Sequence, residues 1–466
     1  MGNHVRSVGL PFGVDIDFLL QSIQVYVARD VLIVLDRNGS RIECISQGIF
    51  VLHPVSPYIC AIVATCSETD GFEEIKKYRL GAAISITGVF KRTPDQKQPF
   101  EVALSSSTLI GDVDESYPLQ KKKTSFEFLR SIPHLRPRTN TFNAVFRVRS
   151  VLSFAIHEFF QGEGFVYVHT PLITSNDCEG AGETFKVMSS IDKPLEFFGK
   201  NANLTVSGQL HVEPFALTFR DVYTFGPTFR AEKSNTKNHA AEFWMIEPEI
   251  AFADLSDDME LIEDFLKYIV KYVMANCPDE IDFFNERIDP TLKQRLNDFV
   301  SKPFTTIPYT EAIEILKKAV VEGHKFDNSH IEWGMDLQTE HERYLTEKVV
   351  KGPMFIIDYP KEIKSFYMKQ NDDGKTVAAC DLLVPGIGEL VGGSEREVRY
   401  DVLKAKMEEL HMNMEFYQWY LDLRRYGGCP HAGFGLGFER MMMFVTGMEN
   451  IRDVEAYPRS YKELQF

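Results

Sequence analysis

The segment Phe243–Ile250, with the sequence FWMIEPEI, places two carboxylates inside an apolar run. A run of this kind predicts a strand, in which alternate side chains project from the same face. Glu247 and Glu249 therefore share a face with Phe243 and Met245. Because a buried carboxylate without a partner is costly, the fold must bring cations or hydrogen-bond donors to both acids from elsewhere in the chain.

The size and composition of the chain are those of an ordinary globular protein. It has 466 residues, 44% hydrophobic and 25% charged, which allows two or three domains with buried cores. No apolar run approaches the roughly 20 residues of a membrane helix, and the first residues lack the features of a signal peptide. Seven scattered cysteines without a C-x-x-C pair predict neither a disulfide framework nor a structural zinc site. We therefore expect no membrane association and a location in the reducing cytoplasm.

The net charge of −16 is unevenly distributed along the chain. Residues 1–150 contain 18 Lys and Arg against 15 Asp and Glu, whereas the remainder contains 33 against 52. Phosphate contacts need local rather than overall positive charge, so the first third remains compatible with RNA binding. The lysine run at 121–123 is explained equally well as a solvated linker.

The segmentation of the sequence predicts two domains of α+β class. Residues 1–112 predict about five short strands, with a hairpin signal at Asn38-Gly39, which suits a small barrel such as an OB-fold but also other all-β domains. Residues 113–141, rich in Pro, Lys, Ser and Arg, predict a hinge. Residues 142–466 predict an antiparallel sheet flanked by helices, with 276–350 as a possible helical insertion.

Two helices are predicted in the second domain from apolar residues at helical spacing. The first covers about 143–161 and ends at a pair of glycines. The second covers 257–275, with Ser256 as its expected N-cap.

Three stretches of this domain follow one another in a distinctive order. The first stretch, residues 164–185, is a strand that runs into a proline and a glycine-rich turn: GFVYVHTPLITSNDCEGAGETF. The second, residues 222–252, is a strand–loop–strand unit: VYTFGPTFRAEKSNTKNHAAEFWMIEPEIAF. The third, residues 432–447, is a glycine-spaced strand that leads into a helix near Phe438: AGFGLGFERMMMFVTG. The order resembles motifs 1, 2 and 3 of class II aminoacyl-tRNA synthetases. Each motif alone is a weak signal, because F-R-A-E in isolation is most often a surface strand.

Further segments narrow the resemblance to asparaginyl-tRNA synthetases of the bacterial type: HLRPRT (134–139), VSGQLHVEPFA (206–216) and GELVGGSERE (388–397). The aspartyl relatives typically carry a lysine where this chain has Val212. The resemblance implies ATP-dependent ligation of L-asparagine to tRNA(Asn) through an asparaginyl-adenylate. It also implies a homodimer whose interface contains the first motif, although a long amphipathic helix is equally consistent with packing inside one chain.

The resemblance assigns residues of the second and third motifs to ATP. Arg230 corresponds to the arginine that bridges the substrate carboxylate and the α-phosphate, and Arg440 to the arginine packed beneath ATP, so both are expected to be catalytic. Arginine suits this role because its planar, permanently charged guanidinium binds phosphate through two hydrogen bonds. Glu232 corresponds to the acid near the adenine and Phe243 to the ring on which adenine stacks. His239 is the histidine expected to contact the nucleotide.

Two carboxylates are expected to hold Mg²⁺ with ATP. Glu389 corresponds to the family's metal-binding acid, and Asp381 is expected as a second ligand. Mg²⁺ prefers hard oxygen ligands and retains water, which one or two carboxylates permit. The spacing between the two acids is one residue longer than in the aspartyl relatives.

The same resemblance implies an asparagine pocket. Glu179 and Gln209, with Ser207 beside them, correspond to groups that hold the α-ammonium and α-carboxylate. Glu247 is expected to accept from the side-chain amide nitrogen of asparagine, and Arg396 to donate to its oxygen. Asparagine and aspartate are nearly the same size, so charge rather than shape must separate them.

The front domain is expected to read the anticodon by base stacking and edge hydrogen bonds. Its segment IQVYVARD retains Tyr26 and Arg29 but lacks the family's usual cluster of basic residues. The sequence therefore predicts no particular anticodon-reading residue.

Three alternatives remain open at the level of sequence. One is an aspartyl-tRNA synthetase of relaxed specificity, which Val212 disfavours. Another is an asparagine synthetase-like paralogue, which would lack residues 1–112. The third is a non-catalytic paralogue that binds RNA, which would be expected to have lost Arg230, Arg440 or Glu389, all present here.

Overall fold

A computed structural model of the chain describes residues 23–27, 32–35, 41–42, 61–65, 69–92, 100–120, 122–176, 178, 183–193, 195–234 and 236–465. The chain divides into two compact units, Met1–Asn140 and Thr141–Phe466. Within the described ranges, no helix combines the length and apolar character that crossing a membrane requires.

The first unit contains a mixed sheet of six strands with short helices around it. Its elements are β1 Ile23–Val27, β2 Leu32–Leu35, β3 Arg41–Ile42, β4 Ala61–Thr65, α1 Phe72–Ile75, β5 Ala83–Arg92, β6 Phe100–Gly111, α2 Phe126–Ser131 and a 3₁₀ turn at Arg136–Arg138. The strand order is β1-β5-β6-β4-β2-β3, and β4 pairs in parallel with both β2 and β6.

The predicted hairpin is present in this sheet. β2 and β3 pair antiparallel, with Leu35 opposite Arg41, while Asn38 and Gly39 lie outside the described residues, as does Arg29. Six strands are described where about five were expected, and the OB-fold barrel stays a prediction.

The second unit, with a helix beginning at its boundary, holds most of the secondary structure. Its helices are α3 Asn140–Gly162, α4 Gln209–Phe219, α5 Leu255–Asn276, α6 Pro278–Arg287, α7 Leu292–Ser301, α8 Tyr309–Val321, α9 Thr339–Tyr344, a π-helical turn Leu345–Val350, α10 Tyr400–Glu409, α11 Met414–Arg425, α12 Phe438–Thr446 and a 3₁₀ turn Ile451–Asp453. Its strands are β7 Val166–Tyr167, β8 Ile173–Thr174, β9 Lys186–Val187, β10 Ala202–Leu204, β11 Asp221–Phe229, β12 Glu242–Ala251, β13 Thr305–Pro308, β14 Met354–Pro360, β15 Thr376–Val384, β16 Gly388–Glu395 and β17 His431–Gly437.

Eight of these strands form the central sheet, in the order β13-β14-β15-β16-β17-β12-β11-β7. The pairs from β14 to β11 are antiparallel, as predicted. Both outermost pairs, β13 with β14 and β7 with β11, are parallel. The expectation of a purely antiparallel sheet is therefore wrong at its two edges, and the sheet is mixed. Residues 276–350 contribute α6–α9 and also the edge strand β13.

Helices cover one face of the central sheet through aromatic packing. The ring of Phe160 on α3 lies 4.7 Å from Tyr223 of β11 and 4.6 Å from Phe265 of α5, centroid to centroid. Phe438, at the start of α12 as predicted, lies 5.2 Å from Phe225. These contacts define the back face of the sheet and hold α3, α5 and α12 against it.

The opposite face, called here the front face, is lined by small residues. β17 alternates buried apolar side chains such as Phe434 with glycines. Its register places Gly433 opposite Glu249 and Gly437 opposite Met245. Because cross-strand partners share a face, the glycines and the two strand glutamates lie together on the front face.

Helix α5 begins earlier than the sequence predicted. Its N-cap is Asp254, whose carboxylate accepts the backbone N–H groups of Ser256 at 2.8 Å and Asp257 at 3.1 Å. Asp257 in turn accepts the N–H of Asp254 at 3.0 Å, which completes a capping box. The assignment of Ser256 as N-cap was wrong because an aspartate two residues upstream competes for the same N–H groups.

We expect Asp254→Ala to lower the free energy of unfolding by about 1 kcal/mol, the usual cost of removing an N-cap acceptor. Urea denaturation followed by circular dichroism measures this change. Ser256→Ala is the matched control in the same turn and should stay within about 0.5 kcal/mol of the parent protein. Equal losses in the two variants would contradict the capping assignment.

Candidate active site

The floor of the front face of the central sheet is formed by glycines at the strand centres. Gly392 of β16 pairs with Gly435 of β17. A Cβ built at Gly433 would lie 2.4 Å from the carbonyl oxygen of Pro248 and 2.6 Å from the carboxyl carbon of Glu249. Only glycine allows the backbone and this carboxylate to approach so closely, so the Glu249 carboxyl packs directly over Gly433.

Four of the residues expected at ATP surround one end of this floor. Arg230 follows β11, and its guanidinium carbon lies 5.4 Å from the centre of the Phe243 ring. Its buried Nε has no protein partner among the described residues. His239 lies 3.9 Å from the carboxylate of Glu232. Burial lowers the pKa of His239, and the guanidinium groups of Arg440 and Arg230 lower it further. His239 is therefore expected to be neutral at pH 7.

Arg440 lies at the start of α12 and contacts β16. Its Nη1 donates to the backbone carbonyl of Glu389 at 3.0 Å and to the Glu389 carboxylate at 3.1 Å. Burial alone would raise the pKa of Glu389, but the charges of Arg440 and Lys364 lower it below its ordinary value. Glu389 is thus ionised and held on the front face.

The two expected metal ligands converge in the structure. A Cβ built at Gly392 would lie 3.2 Å from Oε1 of Glu389 and 3.5 Å from Oδ1 of Asp381, so both carboxylates reach over the same glycine. A β-bulge between Leu382 and Leu383 leaves Leu390 without a partner in the ladder between the two strands. Paired hard oxygen donors above a glycine floor fit Mg²⁺.

Lysine 364 is a functional candidate that the sequence did not indicate. Lys364 donates to both carboxylate oxygens of Asp381, at 2.8 and 2.6 Å. Its ammonium lies 3.9 Å from the centre of the Tyr359 ring. Lys364 therefore balances the charge of the acid pair, but it is 17 residues from Asp381 in sequence and no motif connects them.

Glu342 was also missed, because it lies in the segment that showed no functional signal. Its Oε2 accepts the backbone N–H of Glu389 at 3.0 Å. Burial and the neighbouring Glu389 carboxylate raise the pKa of Glu342 to about 8.

Glu247 is fixed by the start of α4. Its carboxylate accepts a short hydrogen bond from the hydroxyl of Ser207 and another from the backbone N–H of Gly208 at 2.9 Å. The Ser207 oxygen also accepts the N–H of Gln209 at 3.1 Å. The structure therefore brings Ser207, Gln209 and Glu247 together, while Glu179 lies outside the described residues.

The carboxylate that contacts Arg396 is Glu249 and not Glu247. Arg396 and Glu249 form a two-point ion pair through Nε and Nη2, and Nη1 of Arg396 donates to the hydroxyl of Ser394 at 2.6 Å. Burial would lower the pKa of Arg396, but Glu249 raises it above its ordinary value. Glu247 and Arg396 were expected to contact the substrate amide together; in the structure the acid bonded to Arg396 is Glu249, two positions further along the same strand face.

A second buried charge cluster borders this pair. Glu213 accepts from Gln209 at 3.2 Å, from Arg424 at 3.1 Å and from the hydroxyl of Tyr420 at 2.7 Å. Burial would raise the pKa of Glu213, yet Arg424 and His431 lower it below its ordinary value. The ionised carboxylate of Glu213 therefore holds the side-chain amide of Gln209 in place.

Val212, at the position where the aspartyl relatives carry lysine, is buried against other apolar side chains. Its cluster contains Val168, Ala216 and Val222. Val212 is fully buried in this cluster, so an ammonium group at this position would lie in apolar surroundings.

A separate cavity of about 260 Å³ lies along the β11 edge. Its lining includes Tyr167, His169, Leu172 and Trp244, with Glu247 at one end. Neither Arg230 nor Arg440 borders it, so this cavity is distinct from the ATP end of the front face.

Comparisons with known proteins show which family this chain is similar to. A family model described as tRNA synthetases class II (D, K and N) matches residues 126–461. The asparagine–tRNA ligase of Clostridium beijerinckii is 59% identical over 403 residues, which are 84% of this chain and 86% of that protein. The Clostridium perfringens asparagine–tRNA ligase is 56% identical over 417 residues, 87% of this chain and 89% of that protein. The crystal structure of asparaginyl-tRNA synthetase from Pyrococcus horikoshii complexed with asparaginyl-adenylate matches with a TM-score of 0.80 at 32% identity, covering 95% of each chain.

We expect Gly433→Ala to destabilise the protein by about 2 kcal/mol, the range of an overpacked core, because the added methyl group meets rigid backbone and the Glu249 carboxyl. Gly435→Ala is the matched control, since its Cβ would meet the Met245 methyl group at 2.8 Å. Because the terminal methyl group of a methionine can move, the free energy of unfolding of Gly435→Ala should fall by less than about 1 kcal/mol. Urea denaturation measures the free energy of unfolding of both variants. A larger loss in Gly435→Ala than in Gly433→Ala would refute this description of the floor.

Proposed function

The chain belongs to the class II tRNA synthetases and, within them, to the asparagine–tRNA ligase family, and on this premise we propose that it ligates L-asparagine to tRNA(Asn) with ATP. The supporting observation is that Arg230, Arg440 and Glu389 lie close together on one glycine-lined face. The reaction forms asparaginyl-adenylate and pyrophosphate, and then asparaginyl-tRNA and AMP.

In the first step, a carboxylate oxygen of asparagine attacks the α-phosphorus of ATP. The bond from that phosphorus to the bridging oxygen breaks, and pyrophosphate leaves. The substrate carboxylate is already ionised, so no general base is needed. Arg230 is suited to stabilise the transition state, because its buried Nε is unoccupied by the described protein groups and a fixed cation favours the extra negative charge.

The remaining proposed contacts with ATP lie at the same end of the front face. Phe243 offers its ring to the adenine and Glu232 offers an acceptor to its amino group, with His239 beside them. Glu389 and Asp381 would hold Mg²⁺, which supplies positive charge against the phosphates when it is bound with ATP. In the second step the ribose hydroxyl of the tRNA attacks the acyl carbonyl, and its proton passes to the departing phosphate of AMP.

Asparagine specificity is proposed to rest on the Arg396–Glu249 pair. A guanidinium has five N–H donors, and the described contacts of Arg396 use three of them, which leaves donors for the amide oxygen of the substrate. Glu249 would accept from the amide nitrogen. An incoming aspartate carboxylate would face a buried carboxylate at this point, and like charges in poorly hydrated surroundings repel strongly.

The proposed roles of Glu247 and its neighbours change accordingly. Because Glu247 is bonded to Ser207 and Gly208, it serves to position the start of α4. Gln209, anchored on Glu213, and Glu179 would hold the α-carboxylate and α-ammonium groups of asparagine.

We also propose that the first unit is an OB-fold that binds the anticodon, and that the protein works in the cytoplasm. A chain lacking residues 1–112 that charges tRNA as well as the full chain would refute the first statement. Among the described residues, Cys277, Cys380 and Cys429 form no disulfide bond, which supports a reducing location. Finding the protein in an oxidising compartment would refute the proposed cytoplasmic location.

A homodimer through the first motif is proposed from exposed apolar side chains on its strand. Leu172 and Ile173 are 40% and 43% exposed, and Leu172 borders the cavity along the β11 edge. Such surface is typical of an interface between copies. A mass of one chain by light scattering at micromolar concentration would refute the dimer.

The function is tested by aminoacylation of total tRNA with labelled asparagine and labelled aspartate in parallel. We expect charging with asparagine at a kcat/KM at least about a hundredfold above aspartate, which corresponds to about 2.8 kcal/mol. Comparable charging with both amino acids would indicate an aspartyl enzyme of relaxed specificity. Formation of free asparagine from aspartate without tRNA would indicate a synthetase of the amino acid itself.

The specificity proposal predicts different outcomes for the two strand glutamates. Glu249→Gln should lower the ratio of kcat/KM for asparagine over aspartate by about tenfold or more in ATP–pyrophosphate exchange, a change of about 1.4 kcal/mol, because the carboxylate that repels aspartate becomes neutral. Glu247→Gln is the matched control on the same face and should change this ratio less than about threefold. A larger effect at Glu247 would restore the original assignment and overturn the role of Glu249.

A further inference from the structure

Helix α9 and the π-helical turn after it contact the turn between β15 and β16 through two carboxylates. Oε2 of Glu342 accepts the backbone N–H of Glu389 at 3.0 Å. Oε1 of Glu347 accepts the backbone N–H of Gly386 at 3.1 Å. Together these two acceptors fix the turn and the start of β16, where the candidate metal ligand Glu389 lies.

Glu389 is held from its other side by Arg440. The Arg440 guanidinium donates to the Glu389 carbonyl at 3.0 Å and to its carboxylate at 3.1 Å. The N–H, the C=O and the side chain of Glu389 are therefore all engaged in tertiary contacts. Without the Glu342 acceptor, the N–H of Glu389 would lose its partner, and only the pairing of Glu389 with Leu383 and the contacts of Arg440 would hold this residue.

The residue before Glu389 shows how closely Glu342 approaches the turn. Gly388 has a φ of +91°, and a Cβ built there would lie 2.3 Å from Oε2 of Glu342. Gly386, two residues earlier, has a φ of +86° and no atom within 4 Å of such a Cβ. The side chain of Glu342 thus occupies the space that any larger residue at 388 would need.

We propose that Glu342 is a positioning residue for the metal–ATP site: its acceptor oxygen holds the backbone of Glu389 so that the Glu389 carboxylate points over Gly392. This inference rests on the proposed function, since it assigns Glu389 to the Mg²⁺ that accompanies ATP. Glu342 itself contacts the backbone and acts through Glu389. Groups of this kind orient first-sphere ligands, and their loss typically costs about 10- to 100-fold in metal affinity.

The test measures binding of Mn²⁺, used in place of Mg²⁺, to the full chain with ATP and without amino acid, by electron paramagnetic resonance of free Mn²⁺. Glu342→Ala should weaken Mn²⁺ binding by about tenfold or more. Glu342→Gln should stay within about twofold, because the carboxamide oxygen is an acceptor at the same reach. Unchanged binding in Glu342→Ala, or an equal loss in both variants, would overturn the proposal.

A pair of glycine variants probes the same contact from the turn and decides the matter if Glu342→Ala does not fold. Gly388→Ala displaces the Glu342 oxygen and should weaken Mn²⁺ binding by about tenfold. Gly386→Ala places the same strain on a positive-φ backbone without touching Glu342, and it should bind within about threefold of the parent protein. Equal binding by the two glycine variants would refute the role of Glu342.

The test of Glu342 can succeed or fail independently of the proposed function. Mn²⁺ binding with ATP requires neither asparagine nor tRNA, so the variants can be ranked even if the parent protein does not charge tRNA with asparagine. Conversely, asparagine-dependent exchange by the parent protein supports the function whatever the variants do.

Discussion

The ion pair between Arg396 and Glu249 is buried at the centre of the front face, with 2% and 0% of the two residues exposed. Removing two such charges from water is tolerated only when they are in contact and their other hydrogen-bonding groups are satisfied. The two-point contact and the Ser394 hydroxyl meet this requirement. The same pair requires glycine at 433, because the Glu249 carboxyl occupies the space of a side chain there. The shape of the floor and the proposed selection of the substrate thus depend on one interaction.

Other charges on the front face are balanced in the same local manner. Glu389 is paired with Arg440, Asp381 with Lys364 and Glu213 with Arg424. Residues 151–466 are strongly acidic overall, with 33 Lys and Arg against 52 Asp and Glu. Because Asp381, Glu213 and Glu389 each have their own cation, the overall acidic excess is compatible with the proposed binding of ATP, and local arrangement outweighs net charge.

Several strands and helices of the second unit were predicted from the periodic spacing of residues in the sequence. Alternation along 243–250 predicted β12, glycine spacing in 432–437 predicted β17, and helical spacing predicted α3 and α5, since these patterns depend only on local backbone geometry. The parallel edges of the sheet were not predicted, because the pairing of β13 and β7 is set by contacts between distant segments. The N-cap of α5 was misassigned because two polar residues, Asp254 and Ser256, satisfy the same local rule two positions apart.

The sequence alone determined which residue types converge on the site: Arg230, Arg440 and Glu389 are found together on the front face, each by its place in a motif. Tertiary structure alone decided which acid meets Arg396, that Lys364 balances Asp381, and that Glu342 supports Glu389. The physical reason is that Coulombic and hydrogen-bonding partners are selected by distance in space, whereas a motif encodes only distance along the chain.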